Sequence, residues 1–258
     1  MIVIRGFKFG FPIERIWYWH SGLPIDSTAH LVRLLRVTEG EADEIVLPQK
    51  KEQVNTLISD LSQGEEILWS KLNKNYRYEI RRALKEDVKI TEFDAEAIKA
   101  SPMVLEEFEL TYKIFSEQLG NEDVKNAYDR NKILGYIENN CILLTRARKD
   151  KAVVYHLYVF DDENTTLCFS ASDFRDSEID KAMAGRMNKL LHWHDMQSFM
   201  EKSVNYYDWG NVSNGEPENY NGIDRFKAGF GGVPTKLENV FIGNRILGRI
   251  YIRFLQRQ

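Results

Sequence analysis

The chain has 258 residues, of which 43% are hydrophobic, so it can bury a substantial core in one large domain or in a domain with a small annex. A formal net charge of −4 argues against general nucleic-acid coating, because nonspecific binding needs a net basic surface. No apolar run approaches the roughly 20 residues of a transmembrane helix, and residues 1–10 carry Arg5 and Lys8, which is not the layout of a signal peptide. We therefore expect a cytoplasmic protein.

The thiols and imidazoles do not indicate a metal site. Cys141 and Cys168 lie singly in apolar, strand-like runs and form no Cys-x-x-Cys pair. His192 and His194, two residues apart on a predicted helix, point about 200° away from each other and cannot chelate one ion from that helix. We expect neither a disulfide framework nor a bound metal.

The first 55 residues predict a small β-rich annex of short strands separated by turns. The apolar runs that favour strands are residues 2–4, 16–19, 31–37 and 45–47. An aromatic cluster predicts a hydrophobic base for the annex, with a ligand-stacking surface as the alternative. Its members are Phe7, Phe9, Phe11, Trp17, Tyr18 and Trp19.

The next segment predicts a strand over 54–61, a short helix over 65–72 and a basic helix over 75–87. The buried stripe of the basic helix is expected to be Tyr76, Ile80, Ala83 and Leu84, and its outer residues are Arg77, Arg81, Arg82 and Lys85. The outer residues form either a solvated charged face or a patch that binds the phosphates of coenzyme A or of a tRNA acceptor end. In the second case Arg77 and Arg81 would bind the donor.

The middle of the chain predicts two helices, an antiparallel meander and a long helix. Polar turns at Lys149-Asp150 and at 161–164 are typical of hairpins between antiparallel strands. The predicted helices are 101–120, 123–138 and 179–202, and the predicted strands are 141–147, 152–160 and 166–171.

The stretch NYYDWGNVSNGEPENYNGIDRFKAGFGG, residues 205–232, predicts a strand that breaks into a polar loop and continues as a helix. Ile223, Phe226 and Phe230 recur at helical spacing, which leaves Arg225 and Lys227 off the packed face near the loop. The glycines that follow allow another backbone or a ligand to come close.

A last strand is predicted over 236–242, and an amphipathic helix over 244–256. Arginines recur every four residues on this helix beside an apolar side. That side either packs on the sheet or gives a weak contact with a membrane surface.

Two motifs carry a resemblance. YDWGNVS followed by GIDRFKAGFGG resembles the closing signature of the Fem-type aminoacyltransferases that build peptidoglycan cross-bridges, and of their wider relatives with a GNAT-type acyltransferase fold. KLNKNYRYEIRRALKEDVKI, residues 71–90, is similar to the segment with which those proteins enter the GNAT domain. The motifs bound a region from about Thr56 to Phe241.

The resemblance implies an α/β (α+β) fold with a mixed, mostly antiparallel sheet flanked by helices, and the order of predicted elements agrees with it. We expect a truncated N-terminal annex over 1–55, a GNAT/Fem-like domain over 56–242 and a C-terminal amphipathic helix over 243–258. The cationic turn should fold over the β-hairpins and enclose a cavity lined by His156 and Lys227.

Acyl transfer to an amine requires deprotonation of the amine, stabilisation of an oxyanion and reprotonation of the leaving group. Lys227 matches the lysine of the family's Phe-Lys-x-Gly-Phe-Gly-Gly string, which implies contact with phosphate or developing negative charge; a plain helix-surface lysine is the alternative. His156, mid-strand in the meander, is either a general base or a hydrogen-bonded core histidine. Asp208 either orients the acceptor amine or pairs with Arg225.

The other candidates are polar or aromatic residues near these groups. The candidates for substrate or donor binding are Arg225, Phe226, Arg186, Asn188, Ser170, Asn211, Arg77 and Arg81. Ser170 has a strand-capping role as its alternative. Between Asp173 and Asn188 the chain lacks the glycine-rich loop that holds pyrophosphate in acetyl-CoA-using GNAT enzymes. Fem-type proteins also lack that loop, because their donor is an aminoacyl-tRNA.

These features favour an N-acyltransferase that moves an aminoacyl or short acyl group onto an amine of a cell-envelope or sugar-nucleotide precursor. The donor is either a coenzyme A thioester or an aminoacyl-tRNA, and no tightly bound cofactor is expected. One alternative is an acetyl-CoA-dependent N-acetyltransferase of a surface-polysaccharide pathway. Another is a catalytically inactive GNAT-fold binding module.

Overall fold

The computed structural model describes residues 1–8, 10–20, 23, 25, 27–45, 49–120, 127–173, 179–213 and 221–255. The chain forms two compact units. The first comprises Met1–Leu57, Asn211–Asp224 and Pro234–Gln258, and the second comprises Ile58–Gly210 and Arg225–Val233. Segments from both ends of the sequence thus share the first unit, whereas the predicted division places breaks only near residues 55 and 242.

The strands are β1 (Ile2–Lys8), β2 (Phe11–Trp17), β3 (Leu31–Thr38), β4 (Gln49–Asp60), β5 (Lys89–Asp94), β6 (Ile142–Lys149), β7 (Ala152–Phe160), β8 (Asn164–Ser172), β9 (Tyr206–Asn211) and β10 (Val233–Gly243). The helices are α1 (Glu39–Asp43), α2 (Glu65–Lys71), α3 (Lys74–Ala83), α4 (Ala95–Ala100), α5 (Met103–Leu119), α6 (Arg130–Glu138), α7 (Lys181–Glu201), α8 (Gly222–Ala228) and α9 (Ile246–Leu255). Among the helices of the described residues, none combines the length and apolar character that crossing a bilayer requires.

The first unit is built on the strand order β1-β2-β3-β10. β1 and β2 form an antiparallel hairpin, β2 and β3 run parallel, and β3 and β10 pair antiparallel. Val32 and Leu34 of β3 pack with Val240 and Ile242 of β10 in its core. Of the predicted aromatic base, Trp17, Tyr18 and Trp19 are buried, Phe7 is exposed, and Phe9 lies outside the described residues.

The second unit contains the strand order β9-β8-β7-β6-β5. β6, β7 and β8 form the antiparallel meander that the polar turns predicted. β5 pairs antiparallel with β6, and β9 adds to β8 in parallel. Side chains alternate across β7: Tyr155 donates to Glu107 of α5, whereas His156 contacts Asp195 of α7. Helices therefore cover both faces of this mostly antiparallel sheet, and the predicted α/β (α+β) fold class is confirmed.

One local prediction was wrong, and one short helix was not predicted. Leu84, expected in the buried stripe of the basic helix, is 64% exposed, because α3 ends at Ala83. α1 was not expected in the annex; it begins after Thr38, whose backbone N–H donates to the Glu41 carboxylate at 3.3 Å. The predicted strand at 45–47 and the predicted helix start at 123 fall partly outside the described residues.

Candidate active site

A buried hydrogen-bonded network joins β7 to α7 within the second unit. His156 is fully buried, and its Nδ1 atom lies 2.7 Å from Oδ2 of Asp195. Its Nε2 atom lies 2.8 Å from Oδ1 of Asn188. Asn188, His192 and Asp195 are spaced i, i+4 and i+7, so α7 presents all three on one face.

The network continues through two tyrosines. The Tyr158 hydroxyl donates to Oδ2 of Asp195 at 2.6 Å and lies 2.6 Å from the hydroxyl of Tyr207. Tyr207 in turn lies 3.1 Å from Nδ1 of His192. Tyr158 donates its single hydroxyl proton to the Asp195 carboxylate, so its oxygen must accept the hydrogen bond from Tyr207. The Tyr207 proton is then already donated, so the Tyr207 oxygen must accept a hydrogen bond from Nδ1–H of His192. His192 is therefore the Nδ1–H tautomer, with a lone pair on Nε2.

His192 is held neutral. Its ring stacks on that of His156 with centroids 3.9 Å apart, and it is surrounded by the rings of Trp209, Phe226 and Phe230. Burial, the neighbouring His156 and the positive charges of Lys227 and Lys189 hold the pKa of His192 well below its usual value of 6.5.

The tyrosines are also held in their neutral form. Burial and the charge of Asp195 raise the pKa of both Tyr158 and Tyr207 well above the usual value of 10.0. Both hydroxyls therefore keep their protons at neutral pH and remain donors in the network.

His156, His192 and Asp195 present ligand atoms within 4.8 Å of one another, a spacing compatible with a metal ion. Their geometry does not suit one. Both ring nitrogens of His156 are hydrogen-bonded, and Nδ1 of His192 is bonded to the Tyr207 hydroxyl, so an ion would have to displace these bonds. The three groups are better explained as a hydrogen-bonded core.

Two lysines approach the network. The Nζ atom of Lys227 lies 3.8 Å from the position that a Cβ atom on Gly210 would take, and Lys227 is half-buried. Lys189 pairs with Glu79 at 2.8 Å and lies over the ring of Tyr76. The positive charges of both lysines act on His192 and help to keep its pKa low.

The glycines after Lys227 accommodate the protein itself. A Cβ atom on Gly229 would lie 2.4 Å from the Tyr76 ring, and one on Gly231 would lie 2.7 Å from Cβ of Lys71. Gly229 also accepts a backbone hydrogen bond from Asn73 at 2.8 Å. The close approach predicted for these glycines is therefore used by α2 and α3.

The placement of His156 differs from the expectation of an open cleft. The ring is fully buried, both nitrogens are engaged, and His192 fills the space between it and Phe226. A substrate amine would have no free nitrogen to meet on His156. Ser170, its cross-strand partner, is half-buried.

Three arginine candidates are engaged by protein groups. Arg186 is 7% exposed and forms two hydrogen bonds with Glu86, at 3.0 and 2.9 Å. Arg77 donates to the main-chain carbonyls of Trp69 and Ser70, and Arg81 lies over the Trp69 ring. These contacts tie the basic helix to α2 and α7.

The remaining candidates lie around β9 and α8. Asp208 is buried and accepts hydrogen bonds from the Gly210 backbone at 2.8 Å and the Thr166 hydroxyl at 3.3 Å. Phe226 contacts the rings of His192 and Tyr76, and Arg225 is exposed. In the first unit, Asn211 accepts from Arg36 at 2.9 Å.

Sequence reasoning missed five residues that form the buried network between β7, α7 and β9 or lie close to it. Helical spacing from Asn188 could have identified two of them, but no local pattern indicates which strand residues they meet. The missed residues are His192, Asp195, Lys189, Tyr158 and Tyr207.

No family model and no curated protein matches the chain. Solved structures share its fold. FemX matches with a TM-score of 0.60 and 15% identity, covering 87% of this chain and 75% of that one. The C-terminal domain of a protein assigned as lysylphosphatidylglycerol synthetase from Agrobacterium fabrum matches with a TM-score of 0.58 and 11% identity. The match covers 98% of this chain and 84% of that one. L-PGS from Bacillus licheniformis matches with a TM-score of 0.51 and 12% identity, covering 88% and 72%. The chain therefore shares the fold of FemX, the kind of protein that its sequence motifs resemble.

Proposed function

We propose that the protein is an N-acyltransferase that moves an aminoacyl or short acyl group onto an amine of a cell-envelope or sugar-nucleotide precursor. The fold shared with FemX and with lysylphosphatidylglycerol synthetase, whose name is that of an enzyme making an aminoacylated lipid, supports the class. The observation that carries the proposal is the position of Lys227, which is half-buried beside Gly210 and whose charge helps to keep His192 neutral.

Lys227 is suited to stabilise the negative charge that develops on the donor's carbonyl oxygen. In the reaction, the amine nitrogen forms a bond to the carbonyl carbon of the donor, and the carbonyl oxygen becomes an oxyanion. The bond to the leaving oxygen or sulfur then breaks, and the amine proton ends on that atom. An ammonium in a partly desolvated position stabilises the oxyanion more than one in bulk water would. A neutral His192 adds no competing positive charge.

The start of α7 favours an aminoacyl-tRNA donor over coenzyme A. Asp180 caps this helix, and its carboxylate accepts from the backbone N–H groups of Ala182 at 2.9 Å and Met183 at 3.3 Å. The amides that could hold a pyrophosphate are thus occupied by an anion, which would also repel one. We therefore propose the tRNA ester as donor and the coenzyme A thioester as the alternative.

The test is to incubate the purified protein with mixed aminoacyl-tRNAs, or with coenzyme A thioesters, and a panel of sugar-nucleotide-linked peptides and amino sugars. Release of uncharged tRNA or free thiol reports the donor. We expect acceptor-dependent tRNA release that falls about a hundredfold in Lys227→Met. Lys113→Met, which removes an exposed lysine on α5, should behave as wild type. Absence of transfer from both donor classes would favour the binding module, whereas full activity of Lys227→Met would mean that Lys227 takes no part in the reaction.

A further inference from the structure

Helix α9 packs on the first unit through a narrow face. A Cβ atom on Gly248 would lie only 1.7 Å from the carbonyl oxygen of His30, so the helix backbone rests directly on the chain there. One turn later, Ile252 is 1% exposed. The cluster that receives it consists of Ile13, Leu31 and Phe241, with Phe11 and Tyr251 at its edge.

The larger apolar side of the same helix faces outward. Relative to Ile246, the helical positions of Ile250, Phe254 and Leu247 lie at about 40°, 80° and 100°, so they form one continuous arc. The exposed fractions are 76% for Ile246, 47% for Leu247, 58% for Ile250 and 58% for Phe254. The sequence-based interpretation that the apolar side packs on the sheet is therefore wrong, because Gly248 and Ile252 make the packing face.

Three exposed arginines border this arc. Arg245, Arg249 and Arg253 lie at about −100°, −60° and −20° on the same scale, so they form a row along one flank. No acidic residue occurs between positions 244 and 255. A chain with a net charge of −4 thus carries a local surface that is both apolar and cationic.

We propose that α9 docks on an anionic lipid surface, with the apolar arc in the acyl boundary and the arginine row on the lipid phosphates. An apolar face flanked by basic residues is the pattern of helices that lie in the membrane interface. Charge complementarity selects this occupant over a second copy of the chain, because pairing two such faces would bring like-charged arginine rows together. The proposal concerns the first unit alone and does not rest on transferase activity.

Vesicle flotation of the full chain tests the proposal. We expect the protein to float with vesicles of phosphatidylglycerol and phosphatidylcholine, to remain below with pure phosphatidylcholine, and to lose binding as salt is raised toward about 1 M, where charges are screened within about 3 Å. Arg249→Gln with Arg253→Gln should weaken binding by about fivefold per arginine. Ile250→Ser with Phe254→Ser should weaken it by more than about tenfold.

The matched control lies on α5, where Leu110 and Ile114 are 61% and 44% exposed but the neighbouring charges are largely acidic. Leu110→Ser with Ile114→Ser should float as wild type does, and all variants should unfold at the wild-type temperature. Failure of the wild type to float, equal binding to neutral vesicles, or undiminished binding of both α9 variants would overturn the proposal. The wild type could instead sediment as a dimer that Ile250→Ser with Phe254→Ser converts to a monomer. That result would mean that a second copy of the chain binds this face.

Discussion

His156 and His192 stack in the core of the second unit, with ring centroids 3.9 Å apart and ring planes 27° from parallel. Protonation of both would place two positive charges in contact, whereas, among the described residues, Asp195 supplies the one carboxylate that bonds directly to either ring. The conflict is avoided because burial and the neighbouring cations keep His192 neutral. Protonation of His192 is therefore expected to weaken the contact between β7 and α7.

Acid should destabilise the protein through His192. In the folded protein its pKa is well below 6.5, whereas the unfolded chain protonates it near that value. Below about pH 6.5 the unfolded state binds the extra proton, so the free energy of unfolding falls as the pH falls. In urea unfolding between about pH 7 and pH 5, His192→Phe should show a shallower loss than wild type.

His194 supplies a control of opposite sign. A hydrogen bond to Glu92 raises the pKa of His194, so its contribution is fully present below 6.5 and is lost as the pH rises through the raised value. His194→Gln should therefore steepen the acid loss. An unchanged pH slope in His192→Phe would mean that the buried ring is protonated in the folded state.

Asp195→Asn should unfold the second unit more easily. The carboxylate accepts hydrogen bonds from both His156 and Tyr158. An amide at this position has an NH₂ group in place of one oxygen, and if that group faced His156 and Tyr158, donors would face donors. Loss of the charge partner inside the core should reduce the free energy of unfolding by about 3 kcal/mol. Asp162→Asn, at an exposed turn, serves as the control in the same urea titration. A cost below about 1 kcal/mol would show that the network adds little to stability.

Local pattern predicted most of the elements but not their partners. Alternation places His156 and Tyr158 on one face of β7, and polar turns predict the meander, because both depend on neighbours in the chain. The pairing of Arg186 with Glu86 joins residues 100 positions apart and leaves no local trace. Periodicity likewise predicts that α9 is amphipathic, yet it cannot tell which side packs when glycine forms the contact.

Gly229 should tolerate no side chain while Tyr76 is present. A Cβ atom there would lie 2.4 Å from Cε2 and 2.6 Å from Cζ of the Tyr76 ring, so the ring must move. Overpacking of this kind costs about 2 kcal/mol, which we expect for Gly229→Ala in chemical unfolding.

Removal of the ring should relieve the clash. In a Tyr76→Leu background, the added cost of Gly229→Ala should fall below about 1 kcal/mol, so the two changes are not additive. Gly222→Ala, at the start of α8, meets nothing within 4 Å and is the matched control with little effect. Equal costs of Gly229→Ala in both backgrounds would place the strain in the backbone instead of the ring.

The carboxylate of Glu86 pairs with two arginines, one buried and one exposed. Arg186 donates to it at 2.9 and 3.0 Å with 8% of its side chain exposed, and Arg82 donates to it at 2.9 Å with 54% exposed. Water screens the second pair far more than the first.

We therefore expect Arg186→Met to lower the free energy of unfolding by about 2 kcal/mol and Arg82→Met by less than about 0.5 kcal/mol. Arg186→Met removes the charge but keeps the aliphatic part of the side chain, and Glu86→Gln removes the charge of the partner. Urea unfolding of these variants and of Arg82→Met therefore measures the loss of the charge interaction with little change in packing. Equal losses in the two methionine variants would mean that burial does not strengthen the Arg186 pair, and that Arg186 is held for another purpose, such as the donor contact its position in the sequence suggested.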